Sequence, residues 1–511
     1  MSKLAWNDID WNIIQRRISR QQRRVYKASI ERNKEKVHAI QRRIINSLDF
    51  KLLAIQQVII KNKVSIIISK ELISHEKKIE LAYQLKINST IKKTNFNSTK
   101  DKFQFLEILN IQDQAKQILI KFALEPEWEA LFEPNSYGFR PGRSCHDLIA
   151  TFLFSLKRKS RYIIYVNLDK CFYSTDYEKL LKKLSTFNSI KSHLKLWLKT
   201  GIIKNYQNRH NEIFKEVEFQ FRNDILSPLM LNIALHGLGN FIRSWYKSIW
   251  YSTKGKNFNI QKYNKKTIFG LSRYADNLII TTSVNININE IKTQVGIWLY
   301  NEIGIILSKS KIKIINSNEG FELIGFRIIT IKNQLTKKYK VKIYPSRSSK
   351  TSIIRSIHNL IQKNKSISVY SLITLLSIRI IVWANYFRFS ECKQDFSKID
   401  YLIFNQIRLW ILKKKPKGLI SRIKVKSKYF PKGNIYNFKG KNYRNNWILT
   451  AKTKTKSGNT KENFLPRMVW VSSSKYIKIK AKASPYNDNN LYWTKRLRKY
   501  SKFNYGFDIY N

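Results

Sequence analysis

Cysteine, acidic residues and long apolar runs are all scarce in this 511-residue chain. The three cysteines, Cys145, Cys171 and Cys392, are widely spaced and form no CxxC pair, so neither a disulfide framework nor a zinc cluster is expected. No uninterrupted apolar run reaches the roughly 18 residues that a membrane span requires, so no membrane-spanning segment is expected and a membrane is not the first expected partner. The first ten residues resemble neither a secretory signal nor a transit peptide.

The shortage of acidic residues leaves a large excess of positive charge. Lys and Arg total 96 against 34 Asp and Glu, a formal net charge of +62. An enzyme of small metabolites gains nothing from such self-repulsion, whereas a polyanion would neutralise it. The 12 Trp and 27 Tyr residues can stack on unpaired bases. Composition therefore favours nucleic acid as the partner, with a membrane surface or a ribosome as the alternative.

Hydrophobic periodicity divides the chain into segments. Residues 8–60 have apolar residues at helical spacing, residues 61–104 have little pattern, and residues 105–330 alternate between helix and strand. The clearest predicted strands are 162–166 and 278–282, which are rich in β-branched and aromatic residues. Helical spacing returns at 350–415. Residues 401–511 contain 27 basic and 3 acidic residues, so positive charge is concentrated at this end.

Several motifs identify a family. Residues 124–129 read LEPEWE, and residues 132–144 read FEPNSYGFRPGRS. This string resembles the fingers–palm segment of group II intron-encoded reverse transcriptase/maturases. The strings YADN at 274–277, FELIGF at 321–326 and VWANYFR at 382–388 resemble later motifs of the same family, in the same order.

The resemblance implies an α+β right-hand polymerase fold, with fingers, a palm containing an antiparallel sheet, a helical thumb or maturase (X) domain, and a poorly regular basic C-terminal segment. The implied divisions are an N-terminal helical RNA-binding extension (1–60), a divergent connection to the fingers (61–104), fingers and palm (105–335), thumb (350–430) and a basic nucleic-acid-binding segment (431–511). No Cys lies beyond Cys392 and no His beyond His358, so the endonuclease module of many family members is not expected.

The residues that carry the polymerase chemistry of the family are altered in this chain. Polymerases hold two Mg²⁺ ions with carboxylates. An alignment without gaps places Asn167 at the first metal position, whereas Asp169 would occupy it after a two-residue shift. In the YADN motif at 274–277, Asp276 remains as a candidate metal ligand, but Asn277 replaces the adjacent acid. The nucleotide-binding Arg falls on Gln104, and the family's Pro-Gln-Gly falls on residues 221–223 (FRN). No residue is therefore assigned a catalytic role.

Basic residues in the matched regions are the candidates for RNA binding. Arg140 and Arg143 offer forks for phosphate, with pairing to Glu125 or Glu133 as the alternative. Trp383 is more typical of a core aromatic. The full set of predicted RNA-binding residues is Arg16, Arg20, Arg23, Arg140, Arg143, Arg388, Lys428 and Arg496.

Taken with the resemblance, these features favour a maturase that binds intron RNA, with its own host intron as the first expected partner, and assists its folding and splicing. The alternative is an active RNA-directed DNA polymerase of a mobile group II intron. No cofactor is expected, and Mg²⁺ would be needed only if polymerase activity is retained. A homodimer is a further option. The frequent Lys, Ile and Asn indicate an AT-rich organelle genome. The C-terminal segment resembles that of plastid-type family members more, and this resemblance implies a plastid in preference to a mitochondrion.

Overall fold

The computed structural model describes residues 5–63, 74–87, 99–157, 161–168, 176–199, 225–254, 269–282, 288–305, 311–413, 419–454, 460–487 and 490–501. Asp169 and residues 221–223 lie outside these ranges, as does the side chain of Gln104.

The N-terminal part of the chain is helical, as its apolar spacing predicts. Helix α1 (Trp11–Ile30) begins at Asp10, whose carboxylate accepts the backbone N–H groups of Asn12 and Ile13. Buried side chains such as Ile18 and Val25 pack α1 against the long helix α5. The helices that follow α1 are α2 (Lys34–Asn46), α3 (Leu48–Lys63), α4 (His75–Gln84), α5 (Thr99–Leu131) and α6 (Cys145–Ser155).

A four-stranded antiparallel sheet occupies the middle of the chain, with the strand order β2–β3–β1–β4. Both segments predicted as strands belong to it, and they pair in the register Tyr162↔Thr282 to Asn167↔Asn277. Of the two central strands, β3 is buried along most of its length and β1 at three of its six residues, because helices cover the sheet. The elements of this region are β1 (Tyr162–Asn167), α7 (Tyr177–Leu184), α8 (Asn188–Lys199), α9 (Ser227–Ala234), α10 (Leu238–Lys254), β2 (Phe269–Tyr274), β3 (Asn277–Thr282), α11 (Ile288–Ile303) and β4 (Lys311–Asn316).

A three-stranded antiparallel sheet and a group of helices follow. The sheet consists of β5 (Phe321–Leu323), β6 (Phe326–Lys332) and β7 (Tyr339–Pro345). The helices are α12 (Arg347–Lys363), α13 (Val369–Phe387), α14 (Lys393–Lys413) and α15 (Leu419–Tyr429).

Helix α13 is long and apolar enough to cross a membrane, although the sequence predicted no such segment. Six of its residues are buried against neighbouring elements, among them Leu372, Leu376 and Ile380. It contacts α12 and two strands of the C-terminal segment. One such helix is weak evidence of a membrane span, because a helix that packs against a protein core passes the same test of length and composition.

The C-terminal segment has more regular structure than predicted. It contains β8 (Ile435–Phe438), β9 (Lys441–Arg444), β10 (Thr450–Lys454), β11 (Thr460–Phe464), a short 3-10 helix (Met468–Trp470) and α16 (Asn490–Ser501). Its buried side chains Met468, Trp470 and Trp493 belong to the same core as residues of α6 and α13. The expectation of a poorly regular tail was therefore wrong, because apolar residues between the lysines anchor the segment to the rest of the protein.

Candidate functional site

The hairpin between β2 and β3 brings three predicted site residues together. Tyr274 and Asn277 pair across a two-residue turn in which Ala275 has a left-handed backbone, with φ of 54°. Asp276 lies at the tip of this turn, and its carbonyl accepts the backbone N–H of Leu168 at 3.0 Å. Asn167, at the end of β1, pairs directly with Asn277. Asn167, Asp276 and Asn277 therefore form one cluster at the edge of the four-stranded sheet.

Side-chain hydrogen bonds tie this cluster to the protein itself. The amide nitrogen of Asn277 donates to Asp276 Oδ1 at 3.1 Å, and the Tyr165 hydroxyl donates to Asn277 Oδ1. Asp276 is the one carboxylate among the three clustered residues, and amide oxygens carry no charge to balance a cation. Within the described ranges, no group of three or more His, Cys, Asp or Glu side chains could hold a metal ion. The described residues of the cluster thus do not match the carboxylate set that a magnesium pair requires.

Arg140 and Arg143 are buried, which does not agree with their predicted contact with RNA. Arg140 binds both carboxylate oxygens of Glu129 at 2.8 Å and also donates to the carbonyls of Glu133 and Ser136. Arg143 donates to the carbonyl of Pro134 at 2.9 Å and to that of Ala481 at 3.0 Å. Burial lowers the pKa of Arg143 to about 10.

Only 2% of each of these two arginine side chains is exposed, so a phosphate group cannot reach them. The partner in the ion pair is Glu129, not the predicted Glu125 or Glu133. These arginines hold the turn that follows α5 in place.

Arg388 and Arg496 are also turned inward, against prediction. Arg388 donates to Ser474 Oγ at 3.1 Å. Arg496 binds the fully buried carboxylate of Asp147 at 2.7 Å and the Tyr476 hydroxyl at 2.9 Å. Both arginines connect the C-terminal segment to earlier parts of the chain, which explains their burial.

The other predicted RNA-binding residues lie on the surface. Arg16 and Arg20 are exposed on α1, and Arg23 is half-buried on the same helix. Lys428 is exposed on α15, with its ammonium group 5.7 Å from the centre of the Tyr429 ring. These four side chains are placed where a phosphate backbone could reach them.

A basic groove lies between α12 and α13, and none of the basic residues that line it was predicted from the sequence to bind RNA. Arg355, Lys363 and Arg379 are exposed on it, and Arg379 donates a hydrogen bond to Ser356 Oγ. The groove has a volume of about 540 Å³, and none of the described residues that line it is acidic. The spacing of Ser352, Ser356, Asn359 and Lys363 puts them on one face of a helix, and this periodicity was a signal that could have indicated the groove.

Comparisons with known families agree with this architecture. Residues 91–328 match the reverse transcriptase (RNA-dependent DNA polymerase) family, and residues 6–85 match the N-terminal domain of reverse transcriptase. Residues 350–430, which include most of α12 and all of α13 to α15, match the group II intron, maturase-specific domain. The chain is therefore a reverse-transcriptase-like protein of mixed helices and antiparallel sheets. Its matched domains are those of a reverse transcriptase and of a group II intron maturase, which agrees with the family that the sequence motifs resemble.

Individual relatives come from the same family. The chain is 26% identical to Maturase-like protein 1 of Euglena gracilis over 409 residues, which is 77% of this chain and 79% of the relative. It is 26% identical to Maturase-like protein 1 of Euglena longa over 261 residues, or 48% of this chain and 55% of the relative. It is 25% identical to the group II intron-encoded protein LtrA of Lactococcus lactis subsp. cremoris over 44% of each chain. The last two matches span about half of each relative's length.

Proposed function

We propose that this protein is a maturase that binds group II intron RNA and assists its folding and splicing without copying it. The RNA would carry out its own transesterifications with its own Mg²⁺ ions, while the protein would supply positive charge and a shaped surface. The protein itself would need no cofactor.

The observation that carries this proposal is the basic groove between α12 and α13. It lies within the segment that matches the group II intron maturase-specific domain. Arg355, Lys363 and Arg379 project from two adjacent helices, so they can contact successive phosphates of one RNA strand. A net charge of +62 attracts the same partner over a longer range.

The hairpin cluster supports the loss of polymerase activity. Asn167 and Asn277 occupy paired positions at the sheet edge, next to Asp276. Two amides and one carboxylate would hold two divalent cations far less tightly than three carboxylates. An active RNA-directed DNA polymerase of a mobile intron is the second candidate, and it would have to use Asp276 together with Asp169.

RNA binding and splicing test the main proposal. The purified protein should bind its host intron more tightly than an unrelated structured RNA of equal length, and it should accelerate splicing at a Mg²⁺ concentration where the intron alone splices slowly. Equal affinity for both RNAs, with no change in splicing rate, would overturn the proposal.

Primer extension separates the two candidates. With a homopolymer RNA template, annealed primer, Mg²⁺ and deoxynucleotides, we expect no extension by this protein. Robust extension that Asp276→Asn abolishes would establish the polymerase instead.

We also propose that the protein works in an organelle, a plastid in preference to a mitochondrion. Its frequent Lys, Ile and Asn support an AT-rich organelle genome, and two of its relatives are from Euglena species. Cell fractionation with antibody detection tests the location. Sedimentation of the free protein tests whether it forms a homodimer.

A further inference from the structure

A cavity of about 340 Å³ lies between α13, α14 and the C-terminal segment, and its lining residues differ from those of the basic groove and the hairpin cluster. Its walls include four aromatic side chains: Tyr401, Phe404, Phe430 and Trp447. The centroid of the Trp447 ring lies 4.6 Å from that of the Phe404 ring. The Phe404 ring in turn packs edge-on against the Phe430 ring, with 5.3 Å between the centroids. This volume is at the lower end of the range for small-ligand sites, so it suits a single planar group.

The rim of the cavity is aromatic and accessible. Trp447 is 56% exposed and Tyr401 is 58% exposed, although both are large and largely apolar. Trp447 adjoins Ile448 and Leu449, which are almost fully buried, so its backbone is anchored while its ring remains at the surface. An exposed, positioned tryptophan beside a cavity is typical of a stacking surface.

Polar groups also line the same cavity. The Asp400 carboxylate accepts the backbone N–H groups of Met468 at 2.9 Å and Val469 at 3.2 Å, and Arg467 Nε lies 3.5 Å from it. Asn445 also lines the cavity. A carboxylate oxygen has more than one lone pair, so Asp400 can accept a further hydrogen bond from an exocyclic amine.

The charge beside the cavity is positive. Lys428 and Lys432 flank Phe430, and Arg444 precedes Asn445, and all three basic side chains are exposed. A nucleotide whose base entered the cavity would therefore leave its phosphates close to cations. An apolar protein side chain would fill the cavity but would gain nothing from this charge.

We infer that this cavity, named here the Trp447 pocket, binds one unpaired nucleobase of an RNA strand. The base would stack on Trp447 and present its edge to Asn445 and Asp400, while Lys428, Lys432 and Arg444 contact the flanking phosphates. Single-stranded loops and bulges are the parts of a folded RNA whose bases can enter such a pocket. The inference rests on the proposed binding of RNA, and it adds a specific subsite outside the basic groove.

The test uses the full-length protein and a single-stranded RNA 10-mer with one central 2-aminopurine, a fluorescent base that carries an exocyclic amine and loses emission when it stacks. The wild-type protein should quench this emission. Trp447→Ala should remove the quenching and weaken binding about 5- to 100-fold, the range expected for one base–aromatic stack. Trp447→Phe should retain most of both effects.

Leu335→Ala is the matched control, since Leu335 is 94% exposed on the loop between β6 and β7. It should bind the 10-mer and quench it like the wild type. Adenosine monophosphate, tested as a competitor, distinguishes a free nucleotide from a base within a strand. Displacement of the 10-mer at equal concentration would overturn the assignment to a strand.

The outcomes also separate this inference from the proposed function. If the wild type binds intron RNA but Trp447→Ala quenches the 10-mer equally, the pocket assignment is wrong while the maturase proposal stands. If Trp447→Ala instead changes only the oligomeric state, the pocket is a protein contact and the inference is wrong. If the wild type binds neither RNA, the proposed function itself fails.

Discussion

Glu129 and Arg140 form a bidentate ion pair with two contacts of 2.8 Å, and at most 2% of either side chain is exposed. A buried charge that loses its hydrogen-bonded partner has no water to replace it, and here the remaining cation, Arg143, has its Nε 3.8 Å from Glu129 Oε1. The pair is therefore a structural element of the turn after α5, and its replacement should change stability before it changes RNA binding.

Arg140→Met is predicted to lower the free energy of unfolding by about 3–5 kcal/mol, because the buried Glu129 would lose both of its 2.8 Å contacts and keep only Arg143 Nε, at 3.8 Å, as a cationic neighbour. Arg16→Met is the matched control, since it removes the same charge from an exposed site on α1. Thermal unfolding measures the stability of both variants. An unchanged melting temperature for Arg140→Met together with weaker RNA binding would restore the phosphate-binding role.

Glu127 predicts a dependence of stability on pH. Burial raises its pKa to about 7, although its Oε2 accepts a hydrogen bond from Gln41 at 2.6 Å. Because the folded pKa lies above the unfolded pKa, its contribution to stability is complete below about pH 4.5 and is lost as the pH rises through about 7.

Glu127→Gln removes this titration and keeps an acceptor for Gln41. As the pH rises from 5 to 8, the free energy of unfolding of the variant should increase relative to that of the wild type by on the order of 2–3 kcal/mol. Melting temperatures of both proteins at the two pH values measure this gain. A constant difference across the range would contradict the shifted pKa.

At the level of elements, α12 lines the basic groove with a polar face and buries the opposite face, while α13 contributes Arg379 and Leu375 to the groove. Ile353, Ile357 and Ile361 lie on the buried face of α12, while Arg355 and Lys363 lie on the exposed one. The helical repeat separates core residues from RNA-facing residues within one helix.

The double variant Arg355→Gln/Lys363→Gln should lower RNA affinity and reduce the slope of log K against log salt by about 2, because each lost phosphate contact removes about one released counterion. Lys337→Gln/Lys338→Gln on the loop between β6 and β7 makes the same change in charge. Filter binding at four salt concentrations measures the slope for each double variant. Equal slopes for both double variants would show that the groove has no special role.

The C-terminal segment returns to α6 and completes a polar cluster there. Asp147 is fully buried and accepts hydrogen bonds from Arg496 at 2.7 Å and from the backbone of Ile479 at 2.7 Å. The segment thus supplies partners that α6 needs.

Arg496→Met should lower the free energy of unfolding by about 3–5 kcal/mol and increase hydrogen exchange at residues 476–487. Lys495→Met, at the adjacent exposed position of α16, should do neither. Hydrogen exchange with mass spectrometry resolves the two variants. Similar exchange in both would indicate that α16 is held by its apolar contacts alone.

For the whole molecule, a net charge of +62 acts against the folded state as well as in favour of RNA binding. Salt screens the repulsion among the exposed cations, and it also weakens their attraction to phosphate. The two effects have opposite signs, so they can be measured separately on one protein.

Raising NaCl from 50 to 500 mM should increase the melting temperature of the free protein by several degrees, while the same change should weaken RNA binding by more than about tenfold. Differential scanning fluorimetry and filter binding provide the two measurements. A melting temperature that falls with salt would mean that attractive ion pairs outweigh the repulsion.

Local patterns in the sequence determined the strands at 162–166 and 278–282, the helical N-terminal region, the excess of positive charge and the family. Each of these depends on neighbours along the chain or on short motifs. The clustering of Asn167 with Asp276 and Asn277 likewise agrees with the order of the motifs.

Only the tertiary structure decided which basic residues can reach a partner. Arg16 and Arg143 carry the same charge, yet Arg16 is exposed while Arg143 donates to Ala481, which is 338 residues away in the chain. Burial depends on such distant partners, which no local pattern contains. The Trp447 pocket arises in the same way, because its walls come from α13, α14 and the C-terminal segment and meet only when the chain has folded.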